Sequence, residues 1–290
     1  MKKISIIILF YNGERFYQDC LSSLRDALTG DEEVLLIDNN SKDSTYRLIK
    51  QDFPEFNTIK LKKNLGFSGG MNFGIKRTSA SIVLILNQDI IVDKNLIKNI
   101  NSGFSEEVGI IGCKIYFPGT KTLQHTGGII HPNGLTNHIG YKEIDRGQYN
   151  KTKEVDYVTG AAFAIKRRVI ETLGYFDRDF FPGYYEETDL CYRSRLSGQK
   201  VIYKPDCVIY HHEATTLGSN SFRYLNTYHR NRLRFVWKNF TITHILFKAL
   251  KFEIKWWFIN CPRSNYIPLI LAYLNLIPYI VKWVIKKIMR

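Results

Sequence analysis

Over the first hundred residues the apolar positions gather into short, nearly continuous runs separated by stretches with helical spacing. "ISIIILF" (4–10), "EVLLID" (33–38) and "SIVLIL" (81–86) are rich in β-branched side chains and predict strands, with a weaker one near Asn57–Leu61. After the first run, Asn12 stands where a helix cap would. Phe16, Cys20, Leu21, Leu24 and Leu28 then share one helical face, and Gly30 ends the element. Further helices are expected around Ser44–Lys50 and through Met71–Arg77. Strands apolar on both faces, alternating with helices, predict an α/β fold with a Rossmann-like, mostly parallel central sheet flanked by helices.

From about 100 to 215 the pattern is mixed. "VGIIGCKIYF", "QHTGGIIHPNG" and "VDYVTGAAFAIKRRVIETLG" read as the second half of the same folding unit, 101–215 completing 1–100. Near 216 aromatic and basic residues take over in "SFRYLNTYHRNRLRFVWKNF", and 216–290 is expected to be a helical extension. Its run "IPLILAYLNLIPYIV" (267–281) has no charge, but Pro268, Asn275 and Pro278 interrupt it, and it falls short of the roughly 20 residues that cross a bilayer. Between 251 and 290, seven Lys/Arg (251, 255, 263, 282, 286, 287 and 290) face one acid, Glu253, beside Trp256, Trp257 and Trp283. That composition predicts a segment lying in an anionic membrane surface. A helical pair packed on the catalytic domain or on a second subunit, as in a homodimer, is the alternative, and a true span the last.

The net charge of +14 on 290 residues would suit nucleic acid, an anionic membrane or a phosphorylated small molecule. No zinc-finger spacing, arginine-rich arm or RNP-like strand is present, which excludes nucleic acid. Five scattered cysteines (20, 113, 191, 207, 261) without a CxxC pair fit a reducing compartment. The opening "MKKISIIILFYNGERF" has the basic flank of a signal peptide but only a short apolar run, so a first buried strand is expected.

Chemistry is expected where strands end, because ligands of open α/β sheets sit at their carboxyl ends. Asn12, Asp38 and Asp89 all fall there, and "LILNQDI" (84–90) interrupts an apolar run with two amides and a carboxylate. Asp89 is suited to a hard divalent cation bridging phosphates, though a cap before "VDKNL" would also explain it. His211 and His212 end another strand; neighbours on a strand face opposite ways, so one of them is expected to reach the site. The glycines of "GFSGGMNFG" allow close approach of a ligand or tight packing. In "YYEETDLCYR", Glu187 is of the right type for a general base, while Glu186 and Asp189 would hold helix ends or acceptor hydroxyls.

Together these stretches resemble the family 2 inverting glycosyltransferases of GT-A fold, especially their rhamnosyltransferase-like branch, over roughly residues 3–235. "SIIILFYNGERFYQDCLSSL" and "VLLIDNNSKDST" look like the nucleotide-binding strands and helices, "NLGFSGGMNFGIK" like the donor-side segment, and "LNQD" stands where many relatives carry DxD. "VTGAAFAIKRRVIETLGYFDRDFFPGYYEETDLCYRSRLSGQK" is similar to the acceptor-side block. Two departures stand out: Asn87 replaces the first acid of DxD, and Glu187 stands where Asp is more usual.

The resemblance implies a nucleotide-sugar-binding half (1–100), an acceptor-binding half (101–215) and a metal-dependent inverting transfer. Glu187 would be the base and Asp89 the principal carboxylate, with His211 or His212 beside it on Mg²⁺ or Mn²⁺. Phe10, Asn12, Asp38, Asn64, Gly69, Asn87, Gln88 and Arg230 would hold the donor, and Glu186 and Asp189 the acceptor. The favoured donor is dTDP-L-rhamnose, with UDP-hexose or UDP-galactofuranose as alternatives; the expected acceptor is a lipid-linked cell-surface polysaccharide. The expected location is cytoplasmic, peripheral on the inner face of the cell membrane. The rivals are a nucleotidyltransferase, which the missing basic glycine-rich phosphate loop disfavours, and a non-catalytic sugar-nucleotide or polysaccharide binding protein.

Overall fold

The apolar runs become the middle of the sheet. Strands β1 (Ile4–Phe10), β2 (Glu32–Asp38), β3 (Asn57–Lys60) and β4 (Ile82–Asn87) alternate with helices α1 (Tyr17–Ala27), α2 (Thr45–Asp52) and α3 (Gly66–Ile75). They pair in parallel in the order β3-β2-β1-β4, and every β1 side chain but Leu9 is buried. The computed structural model describes residues 3–213 and 221–288.

Two helix starts differ from expectation. α1 begins at Tyr17 with Phe16 at its N-cap, whereas Asn12 takes a left-handed conformation (φ 50°) and its Oδ1 accepts the Lys42 N–H at 2.9 Å. Asn12 therefore ties two loops together and caps no helix. α3 starts at Gly66, five residues before Met71, because its glycines are needed inside the helix. A Cβ on Gly70 would lie 2.4 Å from Leu9 Cδ1, and one on Gly74 would lie 2.7 Å from Ile37 Cδ1. Each glycine costs a helix about 1 kcal/mol, but here it lets the backbone rest directly on the sheet.

The second half adds β5 (Ile90–Val92), α4 (Leu96–Asn101), β6 (Val108–Tyr116), β7 (Leu123–His125), the hairpin β8 (Gly128–Ile130) and β9 (Thr136–His138), and β10 (Lys153–Glu154). β11 (Ala162–Lys166), α5 (Arg167–Thr172), α6 (Glu186–Leu196) and β12 (Lys200–His211) complete it. β11 inserts antiparallel between β4 and β6; β12 runs parallel to β6 and antiparallel to β5 and β10. The sheet is thus parallel around β1 and mixed beyond β4.

The chain divides into two units: Met1–Ile129 with His138–Pro182 and Glu186–Glu213, and Ile130–Asn137 with Gly183–Tyr185 and Ala214–Arg290. The junction expected at 215–216 falls in 214–220, outside the described residues, as does Arg290. The second unit contains α7 (Phe222–Asn239), α8 (Ile242–His244), a π-helical turn (Ile245–Ala249), α9 (Leu250–Ile259) and α10 (Tyr266–Ile288). α10 is one 23-residue helix, longer than its interrupted sequence suggests. Pro268 lies in its first turn, where no N–H is required, and the exposed Pro278 frees a carbonyl on the outer side of the helix. By length and composition alone Arg263–Val281 could cross a membrane.

A buried ion pair organises this unit. Arg232, fully buried, gives Nη1 and Nη2 to the two Glu253 oxygens at 2.7 and 2.8 Å. Glu253 also accepts from Asn133 at 2.5 Å and from the Tyr273 hydroxyl at 2.6 Å, and Arg232 donates to the Asn133 carbonyl at 3.0 Å. The paired guanidinium holds the Glu253 carboxyl below its ordinary value even though burial pushes the other way. Removing one partner strands the other's charge. Glu253→Ala is expected to lower the unfolding free energy by about 3–5 kcal/mol, read by chemical denaturation of the full chain; a loss below about 1 kcal/mol would show that Arg232 finds other compensation.

Candidate active site

Strand register alone brings three loop origins together. Phe10 pairs with Asp38 and Leu9 with Asn87, so the carboxyl ends of β1, β2 and β4 lie side by side at about the 4.8 Å strand spacing. Phe10 itself is core, fully buried, and contributes its carbonyl to the Asn39 N–H at 2.7 Å. Gln88 holds the turn: its Oε1 accepts the Tyr11 N–H at 2.9 Å and its Nε2 donates to the Tyr11 carbonyl at 3.1 Å. Asp38 is fully buried. Its Oδ2 accepts the Ser41 N–H at 3.2 Å with Lys60 Nζ 3.9 Å away, while Oδ1 has no hydrogen-bond partner among the described residues.

Asp89 lies in the turn between β4 and β5, 6% exposed, with Oδ1 3.2 Å from His211 Nε2. Pairing of β12 with β5 sets His211 opposite Ile90, and the Asp89 carbonyl accepts the His212 N–H at 3.0 Å. His211 Nδ1 meets Gln124 Oε1 at 2.6 Å. The Gln124 amide nitrogen faces two acceptors, the His211 carbonyl and the Glu213 carboxylate, each at 3.4 Å, which orients the amide. Nδ1 therefore carries the hydrogen, and Nε2 is turned toward Asp89. His212 points elsewhere, exposed against the Phe16 ring at 5.6 Å. Of the two histidines, His211 faces the carboxylate.

Glu187 opens α6. Its carboxylate lies near the backbone N–H groups of Gly160, Thr188 and Glu187 itself, which favour its charged form, and a Cβ on Gly160 would lie 3.7 Å from Glu187 Cδ. The neighbouring Ala161 carbonyl accepts the Asn87 N–H at 2.9 Å, so the same short segment touches the β4 tip and the carboxylate. Burial pushes the Glu187 pKa from 4.5 up to about 7, against the three amides. Asp189, in contrast, is buried in an ion pair with Arg193 at 2.8 Å, and that guanidinium also holds the Leu173 and Tyr175 carbonyls. Glu186 is buried as well. Asn64 Oδ1 accepts from Gly66 N–H and from Asn39 Nδ2, and Gly69 backs onto Leu65. Arg230 belongs to α7, where its Nε donates to Asn231 Oδ1 at 3.2 Å.

The model of "Glycosyl transferase family 2" matches residues 5–174, more than half of the sequence, including the tips of β1, β2 and β4. The chain belongs to that family. It is 29% identical over 201 residues to the low-salt glycan biosynthesis hexosyltransferase Agl10 of Haloferax volcanii, covering 66% of this chain and 61% of the relative. It is 28% identical over 229 residues to the O-antigen biosynthesis protein RfbC of Myxococcus xanthus, covering 74% of this chain and 18% of that one. The chain thus spans less than two thirds of either curated relative. Among solved structures, the mannosyltransferase PcManGT of Pyrobaculum calidifontis, in complex with GDP-Man and Mn²⁺, superposes with a TM-score of 0.62 at 15% identity, over 95% of this chain and 74% of that one. At that identity it establishes the shared GT-A fold.

Two positioning residues of this family 2 chain have little or no signature in the sequence. Asn39, buried behind Asp38, donates to Asn64 and Gly66 and accepts the Leu65 N–H, so it positions the loop before α3. The doubled asparagine after "LLID" was its only signal. Gln124 orients His211 across 87 residues of chain, a separation with no local signature.

A carboxyl whose pKa rises on folding favours the protonated fold. That stability is fully present below about 4.5 and is lost as pH rises through about 7. Glu187→Gln is therefore expected to stabilise the protein at pH 8, by roughly 1–3 kcal/mol after solvent screening, and to lose the advantage toward pH 5. Thermal melts of both proteins at the two pH values check it; an equal difference at both would mean that Glu187 carries no such shift.

Proposed function

We propose that the chain transfers a hexosyl group from a nucleoside diphosphate sugar to a hydroxyl of a growing glycan, with inversion. The observation that carries this reading is Glu187, a half-buried carboxylate poised near neutrality beside the tips of the nucleotide-side strands. A sugar hydroxyl needs a positioned base to become a nucleophile, and a base with pKa near the working pH is efficient. Glu187 takes the acceptor proton as that oxygen bonds to the anomeric carbon; the bond to the diphosphate breaks on the opposite face. The amides around Glu187 fix its carboxylate before and after the transfer. Asp189, engaged with Arg193, braces α6 from inside, which favours Glu187 over its neighbours as base.

On the donor side, the Asp38 oxygen left without a protein partner supports a ligand N–H or O–H there, as a nucleobase or ribose would present. Asn12 and Asn64, fixed by their loop contacts, line the same strand ends. Asp89 and His211 are the residues that would hold Mg²⁺ or Mn²⁺. Gln124 on Nδ1 leaves Nε2 facing the carboxylate, the arrangement that a metal-binding histidine uses. Such an ion supplies charge neutralisation for the departing diphosphate. With Asn87 in place of an acid, Asp89 carries the carboxylate charge alone.

The rhamnosyltransferase-like motifs favour dTDP-L-rhamnose as donor, and the names of the relatives, a hexosyltransferase and an O-antigen biosynthesis protein, support a hexose and a cell-surface glycan acceptor. Release of nucleoside diphosphate from a panel of dTDP-, UDP- and GDP-sugars, with anomeric configuration of the product read by NMR, tests the assignment. Glu187→Gln is expected to lower turnover by about 10²–10⁴-fold while donor affinity by calorimetry stays within a few-fold. Wild-type kcat/KM should fall as pH drops through about 7, since the base must be deprotonated. Near-wild-type turnover of the variant would remove Glu187 from the mechanism. Asp89→Ala is expected to abolish the dependence of donor binding on added Mn²⁺ or Mg²⁺, and His211→Ala to weaken it about 10–100-fold; unchanged metal dependence in both would show that the ion, if used, is held elsewhere.

A further inference from the structure

The second unit carries two exposed apolar stripes that the transfer chemistry does not use. Ile242, Leu246, Leu250, Ile254 and Phe258 recur every four residues from α8 to α9, each at least half exposed, with Phe247 beside them at 74%. Side chains four apart drift by about 40° per step on an α-helix. The π-helical turn at Ile245–Ala249 takes more residues per turn and reverses part of that drift. On α10, Ile267, Ile270, Leu274, Ile277, Val281 and Ile285 repeat at three and four, all exposed. A monomer ordinarily keeps its largest contiguous apolar patch to roughly 300–600 Å², and larger ones mark interaction sites.

The charge around the stripes has one sign. Residues 214–290 hold thirteen Lys/Arg and a single acid, which is +12 of the chain's +14. That acid, Glu253, is buried against Arg232, so no carboxylate of this unit offsets the exposed Lys248, Lys251, Lys255 and Arg263. A second copy would bring +12 against +12, a repulsive pairing. The occupant must offer apolar depth and negative charge together, as an anionic lipid surface does.

The opposite face of α10 is already engaged. Leu269, Ala272 and Tyr279 are buried, the Tyr273 hydroxyl donates to Glu253 at 2.6 Å, and the Pro268 carbonyl accepts from Asn226 on α7. A helix bound along one side to its own unit can lie on a bilayer but not cross it surrounded by lipid. We propose that the α8–α9 and α10 stripes dock the protein on an anionic bilayer surface, the helices lying in the interface with Lys248, Lys251 and Lys255 at the headgroups.

Flotation of the full chain with phosphatidylglycerol-containing and pure phosphatidylcholine vesicles, without donor or acceptor, tests this independently of the transfer reaction. Binding is expected on the anionic vesicles and at least about tenfold weaker on the neutral ones or in high salt. Phe247→Asp/Phe258→Asp and Ile270→Asp/Leu274→Asp should each cut it at least about tenfold with circular dichroism unchanged, since these side chains are exposed. Wild type that stays off both vesicle types, or Asp variants that bind like wild type, would overturn the proposal. So would a dimer in sedimentation that the Asp variants dissociate without affecting flotation, and so would resistance to an alkaline carbonate wash, the sign of a spanning helix.

Discussion

The parallel register of β1 with β2 and β4 is the constraint on which the site rests. Once Phe10 stands opposite Asp38 and Leu9 opposite Asn87, the three loops that follow must start within a few ångströms of one another. Slipping one strand by a residue would exchange its side chains between two faces that are each closely packed, as Leu9 and Ile37 are beneath the α3 glycines, so packing enforces the alignment. The polar contacts at the tips refine it: Gln88 bonds both backbone groups of Tyr11, and Asn39 bonds the segment leading to α3. Side chains that look like ligand contacts in the sequence are partly spent on holding the strand ends still, which is what a preformed site requires.

The second half of the sheet does different work. β11 runs antiparallel beside β4, and the segment just before it carries Gly160 and Ala161 to the β4 tip, where Glu187 meets them. A carboxylate partly withdrawn from water and without a cation partner is unfavourable for the fold and useful for proton transfer. The bulk of α6 compensates: Asp189, two residues on, is fully paired with Arg193, and Arg193 in turn closes the Leu173 and Tyr175 carbonyls. Adjacent acids of one helix thus have separate duties, set by whether a cation faces them.

What could be read from sequence follows from how local each signal is. β1, β2 and β4 were legible because a strand buried on both faces is a continuous apolar run, and Asp38 and Asp89 were legible because polarity returns abruptly at the tips. The start of α3 was not, because glycine reads as a turn until Leu9 and Ile37 are seen beneath it. Asn12 reads as a cap by residue type, yet its left-handed backbone and its bond to Lys42 depend on a loop thirty residues away. The choice between His211 and His212 required the β12–β5 register, and the orientation of His211 required Gln124. Proline at 278 interrupts the uncharged run in the sequence, but at an exposed position the carbonyl it frees is open to solvent and the helix continues.

The same contrast between inner and outer demand explains the second unit. Its thirteen cations would repel one another in a compact helical unit, and only Arg232 is neutralised by a carboxylate of the unit itself. Glu253 is therefore more than a stabilising partner. By taking the one acid inside, where Asn133 and Tyr273 also need it, the fold leaves no carboxylate of this unit on the exposed apolar faces of α8, α9 and α10 or beside the exposed Lys248, Lys251 and Lys255. A sequence that placed even two or three acids on those faces would gain solubility and surface ion pairs at little cost. Their absence among the exposed described residues of this unit is what the proposed docking on an anionic surface would require, and stability in water gives no reason for it.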